Sequence, residues 1–285
     1  MRLQNIIAFQ GIQGAYSDLA ARAAMPDANT LAKDSFEDVF EAVRGGEADF
    51  GIVPIENSIA GRVADNHHLL PDSGLFIVAE HFQKIEHCLA VLPGTKLDQI
   101  SVALSHPQAL AQCRNRLRQM SLKPEAFGNT AMATAEIVKR NDPTVAAICS
   151  RLAAELNGLD VLVEDMQDEA HNTTRFVIVA REAVDPPVDI PVITTLIFRV
   201  RDVPAALYKA LGGFATNGVT LTKLESYIRL ESYARDVGGA QFYCDVEGRP
   251  AEAAMARALE ELAFFSPYIR ILGTYPAHAY RGRES

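Results

Sequence analysis

Apolar positions come in short bursts, separated by glycine, proline and polar clusters. Bursts of about four to eight such residues between turn signals read as buried strands. The first covers residues 6–9 and closes at Gly11-Ile12-Gln13-Gly14. Others cover residues 50–53, stopped at Pro54, then 76–79, 101–104, 145–148 and 161–163, with 86–92 as a crossing into a second lobe. Between these bursts the spacing becomes helical. Phe36, Val39, Phe40 and Val43 share one face of a helix. Further helices are expected over residues 15–24, 131–139 behind an Asn129 or Thr130 cap, and 151–156. One more runs unbroken through 110–120, with Pro107 in its first turn. Strand alternating with helix predicts a mainly parallel, layered α/β architecture for residues 1–180.

Residues 181–191 are proline-rich and polar, and read as a linker. Beyond it, strands are expected over 194–200, 221–228, 240–246 and 270–275, and helices over 205–216 and 251–264, with a loop at Gly238-Gly239. That order is βαββαβ, the ferredoxin-like split pattern, over residues 192–280.

Polar side chains recur where apolar bursts end: Gly14 to Ser17, Glu56-Asn57-Ser58, Ser105 to Gln112, Asn129-Thr130, and Asn172 to Arg175. Recurrence at strand ends is what a ligand cleft between α/β lobes produces. The most pointed stretch is His171-Asn172-Thr173-Thr174-Arg175-Phe176, read as a polar turn entering a strand at 177–180. Taken alone it fits ordinary strand-entry polarity. Asn172-Thr173-Thr174 also matches a glycosylation acceptor, which only an exported chain would use.

Composition narrows the classes. The 285 residues are 48% hydrophobic and 22% charged, with net charge −9, which lacks the basic footprint of a nucleic-acid partner. No stretch approaches the roughly 20 apolar residues of a membrane span, and the N-terminal burst is too short for a signal peptide. The expectation is a cytoplasmic protein. Cys88, Cys113, Cys149 and Cys244 are scattered like reduced, buried thiols. His67-His68 are helical neighbours that diverge by about 100°, so no metal site is assigned.

Taken together, these motifs resemble the prephenate dehydratase family, followed by an ACT regulatory module. The first glycine motif is Gly11, Gly14, Tyr16 and Ser17. Pro54, Glu56, Asn57 and Ser58 match Pro-x-Glu-Asn-Ser, with Gly61 beyond. Ser105 and Gln112 match the Ser…Gln pair, and Thr174-Arg175-Phe176 the Thr-Arg-Phe signature. The resemblance implies two α/β lobes like a periplasmic binding protein, with a cleft between them. It implies decarboxylation and dehydration of prephenate to phenylpyruvate, without cofactor or metal. Arogenate as substrate and a non-catalytic aromatic-acid sensor stay open as alternatives.

By the same resemblance Thr174 is the proton donor, and Asn57, Ser105 and Gln112 orient the substrate. Glu56 buttresses them, facing an arginine or backbone donors. Arg175 is expected to contact a substrate carboxylate, the alternative being that it only organises the loop. Phe176, Asn172 and Ser58 join the site, and backbone amides of Gly14, Ala15, Tyr16 and Ser17 suit a carboxylate. Some members carry an acid near Asn129, which this chain lacks. In the module, Ala205-Ala206-Leu207, Asn217-Gly218, Thr220-Leu221 and Glu225-Ser226 are the expected effector contacts for phenylalanine. The motif departs from the family: Ala205 replaces a glycine, Thr220 a common asparagine, and Tyr227-Ile228 an Arg-Pro pair. A homodimer or dimer of dimers is implied.

Overall fold

The computed structural model describes residues 4–227 and 240–283. The expected Gly238-Gly239 loop and Ile228 lie outside the described residues. The chain opens with β1 (Ile6–Gln10), α1 (Tyr16–Ala24), β2 (Asn29–Lys33), α2 (Phe36–Arg44), β3 (Phe50–Asn57), β4 (Gly61–Arg62), α3 (Ala64–Asp72) and β5 (Phe76–Lys84). It continues with β6 (Cys88–Val91), β7 (Val102–Ser105), α4 (Pro107–Gln112), α5 (Arg114–Gln119), β8 (Lys123–Ala126), α6 (Thr130–Arg140), β9 (Val145–Cys149), α7 (Arg151–Leu156), β10 (Asp160–Val163) and β11 (Thr173–Ala180).

These strands form two sheets, ordered β2-β1-β3-β11-β5 (with β4 on β3) and β10-β6-β9-β7-β8. In the second sheet every strand of the centre is buried on both faces. Cys88 and Ala90 of β6, with Ala147 and Cys149 of β9, pack against Ala131 and Ile137 of α6 and Ala153 of α7. The alternate residues Leu89, Val91, Ala146 and Ile148 pack on the opposite side against Ala109, Leu110 and Leu117 of α4 and α5. Period-two alternation with helices on both sides explains why these strands read as continuous apolar runs.

Four expectations change. The 110–120 helix is two helices, because Cys113 leaves helical geometry at φ −111°, ψ 15°. β3 does not stop at Pro54 but runs on to Asn57. Its register with β1 ends at Ile52, so the missing proline N–H costs that ladder nothing. Strands β2 and β8 were not expected. Each lies at the edge of its sheet, and its partly exposed residues lack a buried burst. Finally, Thr173 to Phe176 are not a turn: β11 begins at Thr173, and all eight of its residues are buried.

The C-terminal stretch forms β12 (Val192–Arg199), α8 (Ala206–Thr216), β13 (Leu221–Tyr227), β14 (Gln241–Glu247), α9 (Ala253–Phe265) and β15 (Tyr268–Pro276). Their antiparallel order, β13-β14-β12-β15, is the ferredoxin-like arrangement. Ala210, Phe214, Met255, Ala258 and Leu262 of the two helices close one face over Leu196, Phe198, Phe242 and Cys244. The helices meet at Gly213, where a Cβ would lie 2.7 Å from the Glu261 Cβ.

By contact the chain divides into two compact units that cut across the 1–180, 181–191 and 192–280 boundaries. The first holds Met1–Ala42, Glu47–Val63 and Phe82–Phe176; the second holds Val43–Gly46, Ala64–His81 and Val177–Ser285. Within the second unit, the C-terminal sheet packs on α3 and the first part of β5. An added Cβ at Gly273 would lie 2.0 Å from the Ile77 carbonyl oxygen, so only glycine permits that approach. Arg281 grips the buried Glu80 with Nε at 2.6 Å and Nη2 at 2.9 Å. His67 and His68 stand edge-on to Tyr243 and Tyr227. The proline-rich stretch is held too: Arg249 donates to the Pro186 carbonyl at 2.8 Å and to that of Pro187.

Candidate active site

The first unit encloses a cleft of about 600 Å³. Its wall includes Tyr16 and Ser17 of α1, Asn57 and Arg62 around β4, and Thr174 and Phe176 of β11. His87, His106, Gln108, Gln112, Asn129 and Thr130 complete its polar lining. A second cavity of about 380 Å³ shares Ala60, Gln108 and Gln112 with it and adds Ile59, Ala111, Asn115, Gln167, Asp168 and Glu169.

The hairpin after β3 is clipped onto the start of β11. Ser58 N–H donates to the Thr173 carbonyl at 2.9 Å, and Thr173 N–H returns a bond to the Ser58 hydroxyl at 3.0 Å. The Ser58 hydroxyl itself donates to the His171 carbonyl at 2.9 Å. Asn57 is oriented by its own loop, because its Oδ1 accepts from the amides of Ile59 (3.0 Å) and Ala60 (2.8 Å). Its Nδ2 therefore faces β11, donating to Asn172 Oδ1 at 2.7 Å and to Thr174 Oγ1 at 2.9 Å. A hydroxyl oxygen that accepts this bond has its own proton left to donate, and Nδ2 stabilises the oxygen as that proton leaves.

Strand alternation separates Thr174 from Arg175. Thr174 and Phe176 face the cleft, so Arg175 between them faces away. Its side chain is only 2% exposed and pairs with Glu56 at 3.1 Å. Arg175 is not in the cleft wall and anchors Glu56, which favours the alternative that it organises the loop. Ser105 also lies outside the cleft wall. Its buried hydroxyl donates to the Ile148 carbonyl at 2.6 Å, fastening β7 to β9. The amides of Gly14 and Ala15 are engaged by Asp18 Oδ2 (2.9 Å) and the Ile12 carbonyl (3.1 Å), so neither is offered to an anion. Gly14 has a different task. At φ +84° a Cβ there would lie 2.7 Å from the Ala153 Cα, so glycine lets α1 meet α7 of the other lobe. Ser150 completes that junction by donating to the Gly14 carbonyl at 2.6 Å.

His87 was missed. It precedes β6, so no strand-end signal marks it. But β6 runs antiparallel to β9, with Cys88 opposite Cys149, while β7 runs parallel to β9. The start of β6 therefore lies at the same edge as the ends of β7 and β9. Burial holds the His87 imidazole below its ordinary range. Arg62 was missed because a lone arginine after Gly61 carries no motif. Asn129 lines the cleft while capping α6 through Met132 N–H at 2.6 Å.

The expected effector residues lie in the second unit. Ala205 takes φ +58° immediately before α8, whose first residues are Ala206 and Leu207. Asn217 and Gly218 end α8, Thr220 and Leu221 lead into β13, and Glu225 and Ser226 lie along that edge strand. Lys223 pairs with Glu225 at 3.3 Å.

A family model described as prephenate dehydratase matches residues 7–184. The chain belongs to the prephenate dehydratase family. It is 48% identical, over 99% of both chains, to a bifunctional N-acyl-homoserine lactone acylase/prephenate dehydratase of Komagataeibacter europaeus. It is 39% identical to an arogenate dehydratase/prephenate dehydratase of Arabidopsis thaliana, covering 96% of this chain and 73% of the relative. Among solved structures, a prephenate dehydratase of Arthrobacter aurescens in complex with L-Phe superposes with TM-score 0.86 at 32% identity, covering 95% of this chain and 90% of that one. The matched span takes in the whole cleft wall. Among the described residues no helix is long and apolar enough to cross a membrane.

Proposed function

We propose that the cleft converts prephenate to phenylpyruvate, with Thr174 as the proton donor. The observation that carries this reading is the Asn57–Thr174 hydrogen bond in the cleft wall. Prephenate carries two carboxylates and a ring hydroxyl. As the ring carboxylate leaves as carbon dioxide, its bonding electrons enter the ring and expel the hydroxyl, which takes a proton and leaves as water. Aromatisation drives the step, so the protein has to hold the dianion and deliver one proton. A positioned acid is worth roughly 10²–10⁴ in rate. Arg62 is the carboxylate contact, being the arginine of the cleft wall.

Prephenate is favoured over arogenate by the same wall. Arogenate replaces the keto group by an ammonium, which a carboxylate would recognise. The side chains lining the larger cavity include Arg62 but neither Asp nor Glu, and Asp168 and Glu169 line only the adjoining smaller one. Turnover of the two substrates by the purified chain tests this. Phenylpyruvate formation is expected, with kcat/KM for arogenate at least tenfold lower. Equal or better use of arogenate overturns the preference, and no conversion above the spontaneous rate overturns the reading. The C-terminal βαββαβ module is read as an ACT domain through which phenylalanine inhibits, supported by the L-Phe-bound relative.

A second reading has its own support. The relative that matches end to end at 48% identity is also an N-acyl-homoserine lactone acylase. The smaller cavity that shares Gln108 and Gln112 with the cleft gives room for an acyl tail along Ile59 and Ala111, with Gln167, Asp168 and Glu169 forming the rest of its wall. Release of free homoserine lactone from a long-chain N-acyl substrate would support this second activity, and its absence would remove it.

A further inference from the structure

A chain of hydrogen bonds at the cleft wall has no part in the reaction as written above. Tyr16, His87 and Gln112 come from three separate segments, and all three line the cleft. The Tyr16 hydroxyl lies 2.6 Å from the Glu86 carbonyl oxygen and 2.7 Å from His87 Nδ1. The two rings stand edge-on, 5.4 Å apart. His87 Nε2 lies 3.0 Å from Gln112 Oε1. The His87 backbone is held as well. Its N–H donates to Gln167 Oε1 at 2.8 Å, and its carbonyl accepts from Met166 N–H at 2.8 Å.

Counting protons orders this chain. A carbonyl oxygen only accepts, and a phenol has one proton, so Tyr16 donates to Glu86. Burial raises the Tyr16 pKa well above its ordinary value, so the phenol keeps that proton. Tyr16 then has only a lone pair for His87, and Nδ1 must carry the imidazole proton. Burial also favours the neutral imidazole, which has a single N–H. Nε2 is left as a bare acceptor, and an acceptor requires a donor opposite. The oxygen and nitrogen of an amide are nearly isosteric, so the proton count reassigns the Gln112 amide the other way round from the placed Oε1, with its NH₂ toward His87 and its oxygen toward the cleft.

We propose that Tyr16 and His87 are positioning residues that turn the Gln112 carbonyl toward the substrate, where it accepts the hydrogen of the departing ring hydroxyl. The proposal rests on the dehydratase reading. It complements Thr174: a hydroxyl whose hydrogen is held by Gln112 presents a lone pair to the Thr174 proton. Without Tyr16, the His87 proton is free to move to Nε2, and Gln112 would then present its NH₂ to the cleft. The ring hydroxyl would lose its acceptor while the cleft kept its shape.

Long-range ¹H–¹⁵N spectra of the full-length protein, with the His87 signal assigned by its loss in His87→Asn, read the protonated nitrogen directly. Wild type is expected to carry the proton on Nδ1. Tyr16→Phe is expected to move a measurable fraction to Nε2 and to lower kcat for prephenate about 10- to 100-fold, with KM changed less than about threefold. A wild-type proton on Nε2 overturns the proposal, as does a Tyr16→Phe protein with unchanged kcat. If Tyr16→Phe does not fold, the wild-type spectrum still decides the hydrogen-bond order. Absence of wild-type turnover would sink the dehydratase reading, whereas the spectrum tests the order of protons independently of it.

Discussion

Asn57 in the cleft and Asn217 at the end of α8 are both fully tied, and only the last partner differs. Asn57 is oriented by two backbone amides and passes a hydrogen bond to the Thr174 hydroxyl in the cleft wall. Asn217 donates to the Gly213 carbonyl at 2.8 Å and to Glu261 Oε1 at 2.9 Å, and accepts from Arg257 Nε at 2.9 Å. Its bonds join α8 to α9 and end there. Satisfied hydrogen bonds therefore do not by themselves mark a catalytic residue. What marks it is a chain of bonds that terminates on a group facing open space. Arg175 shows the same division one residue from Thr174, because it shares the strand but not the face.

The largest expected effect tests the cleft side of this contrast. Thr174→Ala should lower kcat by about 10²–10⁴, equivalent to about 3–5 kcal/mol of barrier, with KM changed only a few-fold. Steady-state kinetics with prephenate measure it, and full retained turnover would remove Thr174 as the acid. Next comes the far face of β11. Arg175→Leu should destabilise the fold by about 2–3 kcal/mol in denaturant unfolding. That lies below the usual cost of breaking a buried pair, because Glu56 is 34% exposed and water can solvate it. An unchanged stability with a tenfold higher KM would place Arg175 on the substrate instead. Asn217→Ala should lose about 1–2 kcal/mol of stability and leave kcat within twofold. A large kcat loss there would erase the distinction between the two asparagines.

The sequence made much of the cleft legible and left other parts hidden, for physical reasons. Residues 6–9, 50–53 and 145–148 were visible because central strands buried on both faces must be apolar throughout. β2 and β8 were not, because edge strands can be polar and can even hold Pro124. The Thr174-Arg175-Phe176 signature is legible in the sequence, but its polarity suggests a turn. Hydrogen bonds from the neighbouring hairpin make those polar residues strand, and that placement decides that Arg175 faces away from the cleft. His87 escaped because its relevance depends on β6 running antiparallel to its neighbour, which pairing reveals and a single strand does not.

Ala205 carries the contrast between the two regions to its smallest test. In the cleft region Gly14 takes φ +84° and is retained, whereas before α8 a left-handed position at φ +58° holds alanine. The resemblance anticipated a glycine here, and the backbone has kept the shape that glycine favours. A non-glycine residue in that conformation costs roughly 1–2 kcal/mol, part of which is offset because glycine has more freedom to lose on folding. Ala205→Gly should therefore stabilise the protein by about 0.5–1 kcal/mol in chemical denaturation, with prephenate turnover unchanged. If the methyl also crowds a ligand at the start of α8, the same variant should bind phenylalanine more tightly. Stabilisation without a change in phenylalanine affinity would mean that Ala205 strains only the backbone and that its methyl group is not in the way of the effector.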